Sequence, residues 1–344
     1  MSSFDSYTAA NLISGARMRR REFVGLVGGV AAWPLAAGAQ QSDRMRRLGW
    51  LDWAPADDPA AQARAKVVQQ DLANLGWVVG RNLQIDYRWG AINDDAAQRF
   101  GADLLSSNPD VILSGATPAT KALQSATQTV PIVFVLIAEP VGQGFVQNLA
   151  HPGGNMTGFS TLEPSIGAKW LQLLVEAAPN VKRVAFVFSP KVSPYAKDYY
   201  EAIKREAERA SVGTELIAAN ESAEIEPILA RLGPDAGVIF NSDSFVLRNL
   251  RLAIDLSAKY RVPAMYGTAG MGNAGGLIAY SLDLLDHYRQ AAPYIDRILR
   301  GEKPANLPVQ QPTKFQLVIN LKTAQTLGIS FPLTLQAAAD EVIE

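Results

Sequence analysis

The chain has 344 residues with 32 Lys and Arg against 33 Asp and Glu, 48% hydrophobic and 19% charged residues, a length that suits two domains of ordinary globular composition. A formal charge of −1 supplies no basic field for nucleic acid. The absence of Cys excludes disulfides and thiolate chemistry, and two His leave little for an imidazole-based metal site.

Arg19-Arg20-Arg21-Glu22-Phe23 is a basic head, followed by an apolar run over 24–37 and the small-residue site Ala37-Gly38-Ala39 before Gln40. That order is the signature of a cleaved export signal, and Arg20-Arg21-x-Phe23 is similar to a twin-arginine one. The run is shorter than the ~20 residues a spanning helix needs. Residues 1–39 are therefore set aside as extension and signal, with Met18 an alternative start. Cleavage near Ala39-Gln40 places the mature protein in the periplasm.

The remaining chain alternates apolar strands with amphipathic helices. Strands are expected at 48–51, 83–89, 111–113 and 132–136. Helices lie between them: one opening at Asp57-Asp58-Pro59 and ending at Gly76, one over 93–105, and one after the turn Gly115-Ala116-Thr117-Pro118. A Gly-rich loop at 152–154 and a short strand at 157–159 leading away mark a first crossing between two lobes. The alternation then restarts, with strands at 183–188, 214–218, 237–240, 263–266 and 276–280. The helices of this half begin near Ile166 and cover 194–210, 225–232 and 245–260. A further amphipathic helix carries Leu285, Tyr288, Ala292, Ile295 and Leu299 on one face. A strand at 315–320 and a short helix at 322–327 close the chain.

The fold class expected is α/β: two doubly wound parallel-sheet lobes with a cleft between them. Lobe 1 covers 44–160 and lobe 2 covers 161–280; 281–312 returns to lobe 1, and 313–344 is left unassigned. Ligands bind such sheets outside the carboxyl ends of the strands, so the turns at those ends hold the candidate residues. Thr117 is expected to cap a helix with Pro118 at its first position, leaving N–H groups near Ala116, Ala119 and Thr120 for an anion. Glu139 at the next strand end can meet an ammonium group. Ser189, Asn241 and Asp243 occupy equivalent turns of the second half, with Ser244 expected as a helix cap. Trp53, Tyr195, Tyr266 and Tyr280 are candidates to wall an apolar pocket. No Walker loop, dinucleotide fingerprint or nucleophile elbow is present. No catalytic residue, cofactor or metal is expected.

The stretches Thr117-Pro118-Ala119, Val130-Pro131-Ile132-Val133-Phe134, Glu139-Pro140-Val141-Gly142 and Pro152-Gly153-Gly154-Asn155-x-Thr157-Gly158 carry a resemblance, as do LPVQQPTKFQLVINLKTA at 307–324 and Ala339-Asp340-Glu341-Val342-Ile343. Over essentially the whole mature chain the sequence resembles substrate-binding proteins of bacterial ABC transporters, in the branch that includes receptors for tryptophan and other aromatic amino acids. The resemblance implies type I periplasmic binding protein lobes joined by three crossings. It also implies a small-molecule ligand clamped by hinge closure, an inner-membrane permease and a cytoplasmic ATPase as partners, and a monomer that binds no nucleic acid. Two departures concern the ligand. Glu139 stands where Asp is commoner, and Gly267-Thr268 with 269–273 is neutral where many relatives are charged. The competing classes are an enzyme on a two-lobed α/β scaffold, or a sugar-responsive regulator, for which no DNA-binding helix pair precedes the lobes.

Overall fold

In the first half, β1 (Arg46–Leu51), β2 (Leu83–Arg88), β3 (Val111–Gly115), β4 (Ile132–Ile137) and β5 (Met156–Ser160) form one parallel sheet in the order β2-β1-β3-β4-β5. The computed structural model describes residues 44–91, 93–161, 163–268 and 274–344. The expected export signal and the neutral stretch 269–273 lie outside the described residues. β3 and β4 are apolar along nearly their whole length because helices cover both faces of the sheet. One face holds α2 (Asp94–Ser106) and α3 (Ala116–Ala126). The other holds α1 (Pro59–Asn74), capped by Asp58 Oδ1, which accepts from Ala60 N at 2.7 Å.

The second half builds a seven-stranded sheet. β6 (Arg183–Phe188), β7 (Gly213–Ala218), β8 (Ala236–Phe240), β9 (Ala264–Tyr266) and β10 (Ile278–Leu282) repeat the order of the first sheet, read as β7-β6-β8-β9-β10. β11 (Phe315–Asn320) then adds antiparallel to β10, and β12 (Glu341–Ile343) adds parallel to β11. The segment whose lobe the sequence left open therefore hydrogen-bonds to the second sheet. One face is covered by α4 (Ile166–Ala177) and α5 (Ala196–Ala210), with α10 (Leu321–Leu327) and α11 (Leu333–Ala338) beside them. The other face is covered by α6 (Ile225–Ala230), α7 (Ser244–Arg248) and α8 (Leu250–Lys259).

Three local expectations are corrected. The strand at 157–159 does not leave the sheet: it lies inside β5, parallel to β4, where Gly158 has φ +153°. A Cβ there would overlap the Phe134 carbonyl oxygen, so only glycine permits this approach. The helix expected over 245–260 is two helices, broken at Asn249, whose side chain donates to the Phe245 carbonyl at 2.9 Å. Its cap is Asp243, not Ser244: Asp243 Oδ1 accepts from Val246 N at 2.9 Å, so the helix starts one residue earlier.

α9 (Leu284–Leu299) follows the second sheet in sequence but packs on β3, β4 and α1 of the first, burying Tyr288, Ala291, Ala292 and Ile295 in their core. The chain thus passes between the halves at 160–165, 282–284 and 310–315. These crossings are tied together. Gln310 N donates to Gly158 O at 3.0 Å and Ser160 N to Gln310 O at 2.8 Å. Asp283 N donates to Lys314 O at 3.0 Å, and Lys314 Nζ lies 3.3 Å from Asp283 Oδ2. His287, 3% exposed, meets the Phe159 carbonyl through Nε2 at 3.3 Å.

Burial pushes the His287 pKa down to about 4, below its ordinary 6.5, although Phe159 O and Asp286 oppose the shift. The unfolded chain binds the proton first, so stability is full above pH 6.5 and falls as the pH drops toward 4. The shift corresponds to about 3 kcal/mol. In urea titrations between pH 7 and pH 4, His287→Gln is expected to lose less stability than wild type by about that amount. Equal slopes would show that His287 does not titrate in this way.

Candidate functional site

Both sheets reverse their strand order once, between β1 and β3 in the first and between β6 and β8 in the second. Loops leaving the two central strands diverge there and open a crevice, the usual ligand position in open α/β sheets. Trp53 follows β1, and Ala116 and Thr117 follow β3. Ser189 follows β6, and Asn241 and Asp243 follow β8. These predicted residues of each half therefore follow the strands on either side of its switch point, while Glu139 follows β4.

On the first sheet the turn from β3 into α3 is strained. Ala116 has φ +68°, and Leu136 near the end of β4 has φ +62°, where the β4–β5 register shifts. Left-handed conformations at non-glycine residues cost about 1–3 kcal/mol each and cluster where a site needs a particular backbone path. Thr117 is not the cap of α3. Gly115 holds that position and no side chain caps the helix, because the chain turns at Ala116 and carries Thr117 into the first turn. The early N–H groups of α3 are thus left without a side-chain acceptor, and the Thr117 hydroxyl has no partner among the described residues. Thr120 faces inward, contrary to expectation. It is fully buried, donating to Ala116 O at 2.9 Å and sharing a 2.8 Å bond with Ser114 Oγ, so it braces the turn from behind.

Beneath this turn lies a buried polar cluster that the sequence reading missed. Asp52, with no exposed surface, accepts from Trp50 Nε1 at 3.2 Å, Ala54 N at 2.9 Å, Arg64 Nη2 at 3.0 Å and Tyr288 Oη at 3.2 Å. Arg64 is 2% exposed, its guanidinium carbon 5.2 Å from the Trp53 ring centroid and 5.3 Å from that of Tyr288. Gly115 closes the cluster: a Cβ there would stand 2.9 Å from Tyr288 Oη. The available signals were an acid set between two tryptophans and a tyrosine on the apolar face of α9; neither is diagnostic without the fold.

The second sheet brings three predicted residues into one network. Asp243 Oδ2 accepts from Ser189 N at 3.2 Å and Asn241 Nδ2 at 3.0 Å. Asn241 Nδ2 also reaches Ser193 Oγ at 2.9 Å. Ser189 Oγ donates to Asn220 Oδ1 at 3.0 Å. Asn241 Oδ1 is buried without a partner. Two predicted aromatics lie elsewhere. Tyr266, 1% exposed, stacks on Phe240 at 5.4 Å inside the core. Tyr280 stacks on Phe315 at 5.5 Å because β10 turns its side chain toward the α4 face. Tyr195 remains, meeting Tyr199 edge-on at 6.4 Å.

The electrostatics of the two edges are coupled. Burial, then the neighbouring Asp198, raises the Glu139 pKa. Burial raises that of Asp243 against its hydrogen bonds. Burial also raises the Tyr195 phenol, with Asp243 and Glu139 adding to the shift. Glu139 and Asp243, from different sheets, therefore act on one phenol. Neither carboxylate has an ion pair among the described residues, and those residues contain no group of acidic or His side chains arranged to hold a metal.

The sequence model for ABC transporter substrate binding proteins matches residues 53–343, nearly the whole of both lobes. The chain belongs to that family. It is a family of substrate-binding proteins, not enzymes, with the type I periplasmic binding fold seen here. A tyrosine-binding protein of Clostridioides difficile is 22% identical over 285 residues, 79% of each chain. A Streptococcus pneumoniae ABC domain solved with L-Trp superposes with a TM-score of 0.75 at 25% identity, covering 87% of this chain and 99% of that one. A conserved domain protein of Vibrio cholerae gives 0.74 at 28% identity, covering 87% and 100%.

In this substrate-binding protein the Asp52–Arg64 pair underlies one whole edge of the site. Removing one partner of a buried ion pair strands the other, at a cost of about 3–5 kcal/mol. Asp52→Ala is expected to lose that much stability in denaturant titrations. A loss under about 1 kcal/mol would show that Arg64 finds water or another acceptor.

Proposed function

We propose that the protein is the periplasmic receptor of an ABC import system and binds an aromatic α-amino acid between its lobes. The observation that carries this reading is the acidic pairing at the mouth. Glu139 and Asp243 are partly desolvated, have no ion pair among the described residues and converge on Tyr195. Each of the two favours an ammonium group, which offsets the desolvation of its carboxylate and draws it to the charged form. The opposing turn favours an anion, through Thr117 and the first N–H groups of α3. A zwitterion meets both demands. The tyrosine-binding relative and the neighbour solved with L-Trp point to an aromatic side chain.

Members of this family are typically extracytoplasmic. In the proposed cycle the protein is exported by its N-terminal signal and cleaved near Ala39-Gln40. It works as a monomer and closes about the three crossings when ligand binds. The closed form then docks on an inner-membrane permease driven by a cytoplasmic ATPase.

With L-tryptophan or L-tyrosine at 100 times its dissociation constant, stability is expected to rise by about 2.7 kcal/mol. Calorimetry and thermal unfolding read this directly; no response to either compound would remove the aromatic amino-acid reading. Glu139→Gln is expected to weaken binding about tenfold to a hundredfold, since a hydrogen bond to a charged group contributes about 1.5–3 kcal/mol. Binding needs both carboxylates ionised. Affinity should therefore be full near neutral pH, where the ligand's amino group is still protonated, and fall as the pH drops through the carboxylates' raised pKa values, earlier than ordinary carboxylates would dictate. An affinity flat with pH down to the usual carboxylate range would contradict the pairing.

A further inference from the structure

Two donors of the first lobe are buried without an acceptor among the described residues, Trp53 Nε1 and Arg64 Nε. Their side chains touch. The Arg64 guanidinium lies between the rings of Trp53 and Tyr288, with Nη2 fixed on Asp52. Asp52 is saturated by its other donors, Trp50 Nε1, Ala54 N and Tyr288 Oη. It therefore anchors the guanidinium at one corner and leaves the Nε edge unmatched.

The indole also faces the right way. A Cβ built on Gly115 would stand 3.5 Å from Trp53 Cδ1, the ring atom bonded to Nε1. The N–H edge of the ring therefore borders Gly115, the residue at which β3 ends and α3 begins. On the second lobe the unmatched buried atom is of the opposite kind, the acceptor Asn241 Oδ1, set against Asp243. Buried polar groups are nearly always paired, so unmatched ones after the strands at a switch point describe the polarity of what they receive.

We propose that Trp53 Nε1 donates to the carboxylate of the bound amino acid, and that Arg64 is the positioning residue that holds the indole and biases this edge toward an anion. The assignment rests on the amino-acid reading above and adds to it a contact and a specificity. Compounds lacking the carboxylate lose the Trp53 contact and keep the ammonium contacts on the other lobe.

The test compares L-tryptophan or L-tyrosine, whichever binds, with the corresponding amine, tryptamine or tyramine, on wild type and Trp53→Phe. The Phe ring keeps an aromatic face for Arg64 and removes the donor. Trp53→Phe is expected to weaken amino-acid binding by about tenfold to a hundredfold, the worth of a hydrogen bond to a charged group, and to leave amine binding unchanged. Unchanged affinity for the amino acid, or an equal loss for acid and amine, overturns the assignment and leaves the amino-acid reading standing. Wild type that binds neither amino acid overturns both. A second readout uses the wild-type protein alone: the Trp53 indole N–H resonance is expected to shift with the amino acid and not with the amine. The same shift with both overturns the assignment.

Discussion

Asp52 is the point on which the first lobe depends. Its carboxylate sits at the end of the central strand β1 and joins α1 through Arg64 to α9 through Tyr288, a partner 236 residues away in sequence. A buried ion pair of this kind contributes little net stability, because desolvating both charges offsets most of their attraction. What it does is fix geometry. The acceptor directions of Asp52 set where Arg64 lies, and Arg64 sets the plane of Trp53. Tyr288 leaves room for glycine alone at position 115. The shape of the β3–α3 turn follows, including the left-handed Ala116 that carries Thr117 past the cap position.

The two sheets repeat one strand order, yet their switch points differ in chemistry. The first presents donors: the early N–H groups of α3, the Thr117 hydroxyl, Trp53 Nε1 and Arg64 Nε. The second presents Asp243 and Asn241 Oδ1, with the α7 N–H of Val246 already taken by Asp243. The difference comes from capping. Asp243 satisfies its helix start and brings a charge to the edge, whereas Gly115 has no side chain and leaves its helix start open. One fold unit used twice thus supplies two faces of opposite polarity.

Much of this was legible in the sequence, for identifiable reasons. Strands such as Ile132–Ile137 are apolar on both faces and bounded by turn residues, which parallel sheets under helices require. The turns at their ends therefore located the candidate site. Where the reading failed, the deciding feature was either a backbone turn or a partner remote in sequence. Thr117 and Ser244 are good capping types in the right neighbourhood, but cap choice is set by the local turn, which a strained Ala116 and a buried Asp243 decide. Tyr266 and Tyr280 stand near strand ends, yet the faces that receive them are set by packing against Phe240 and Phe315. The Asp52 cluster was invisible because its four donors come from three separate segments. β5 was misplaced because Gly158 reads as a breaker until the Phe134 carbonyl beside it is known.

The charge of Glu139 acquires a physical meaning from its surroundings. Its carboxylate lies among groups of the other half, with Asp198 raising its pKa and its own charge acting on Tyr195 and Tyr199. Drawing the halves together therefore concentrates negative charge, which works against closure when nothing cationic stands between them. In the proposed reading, an ammonium group converts that repulsion into attraction, so the same residues that select the ligand also make closure conditional on it. In that reading Glu139 strengthens the penalty on the empty closed form along with the grip on the ligand, which sharpens the difference between the two states that a permease would read.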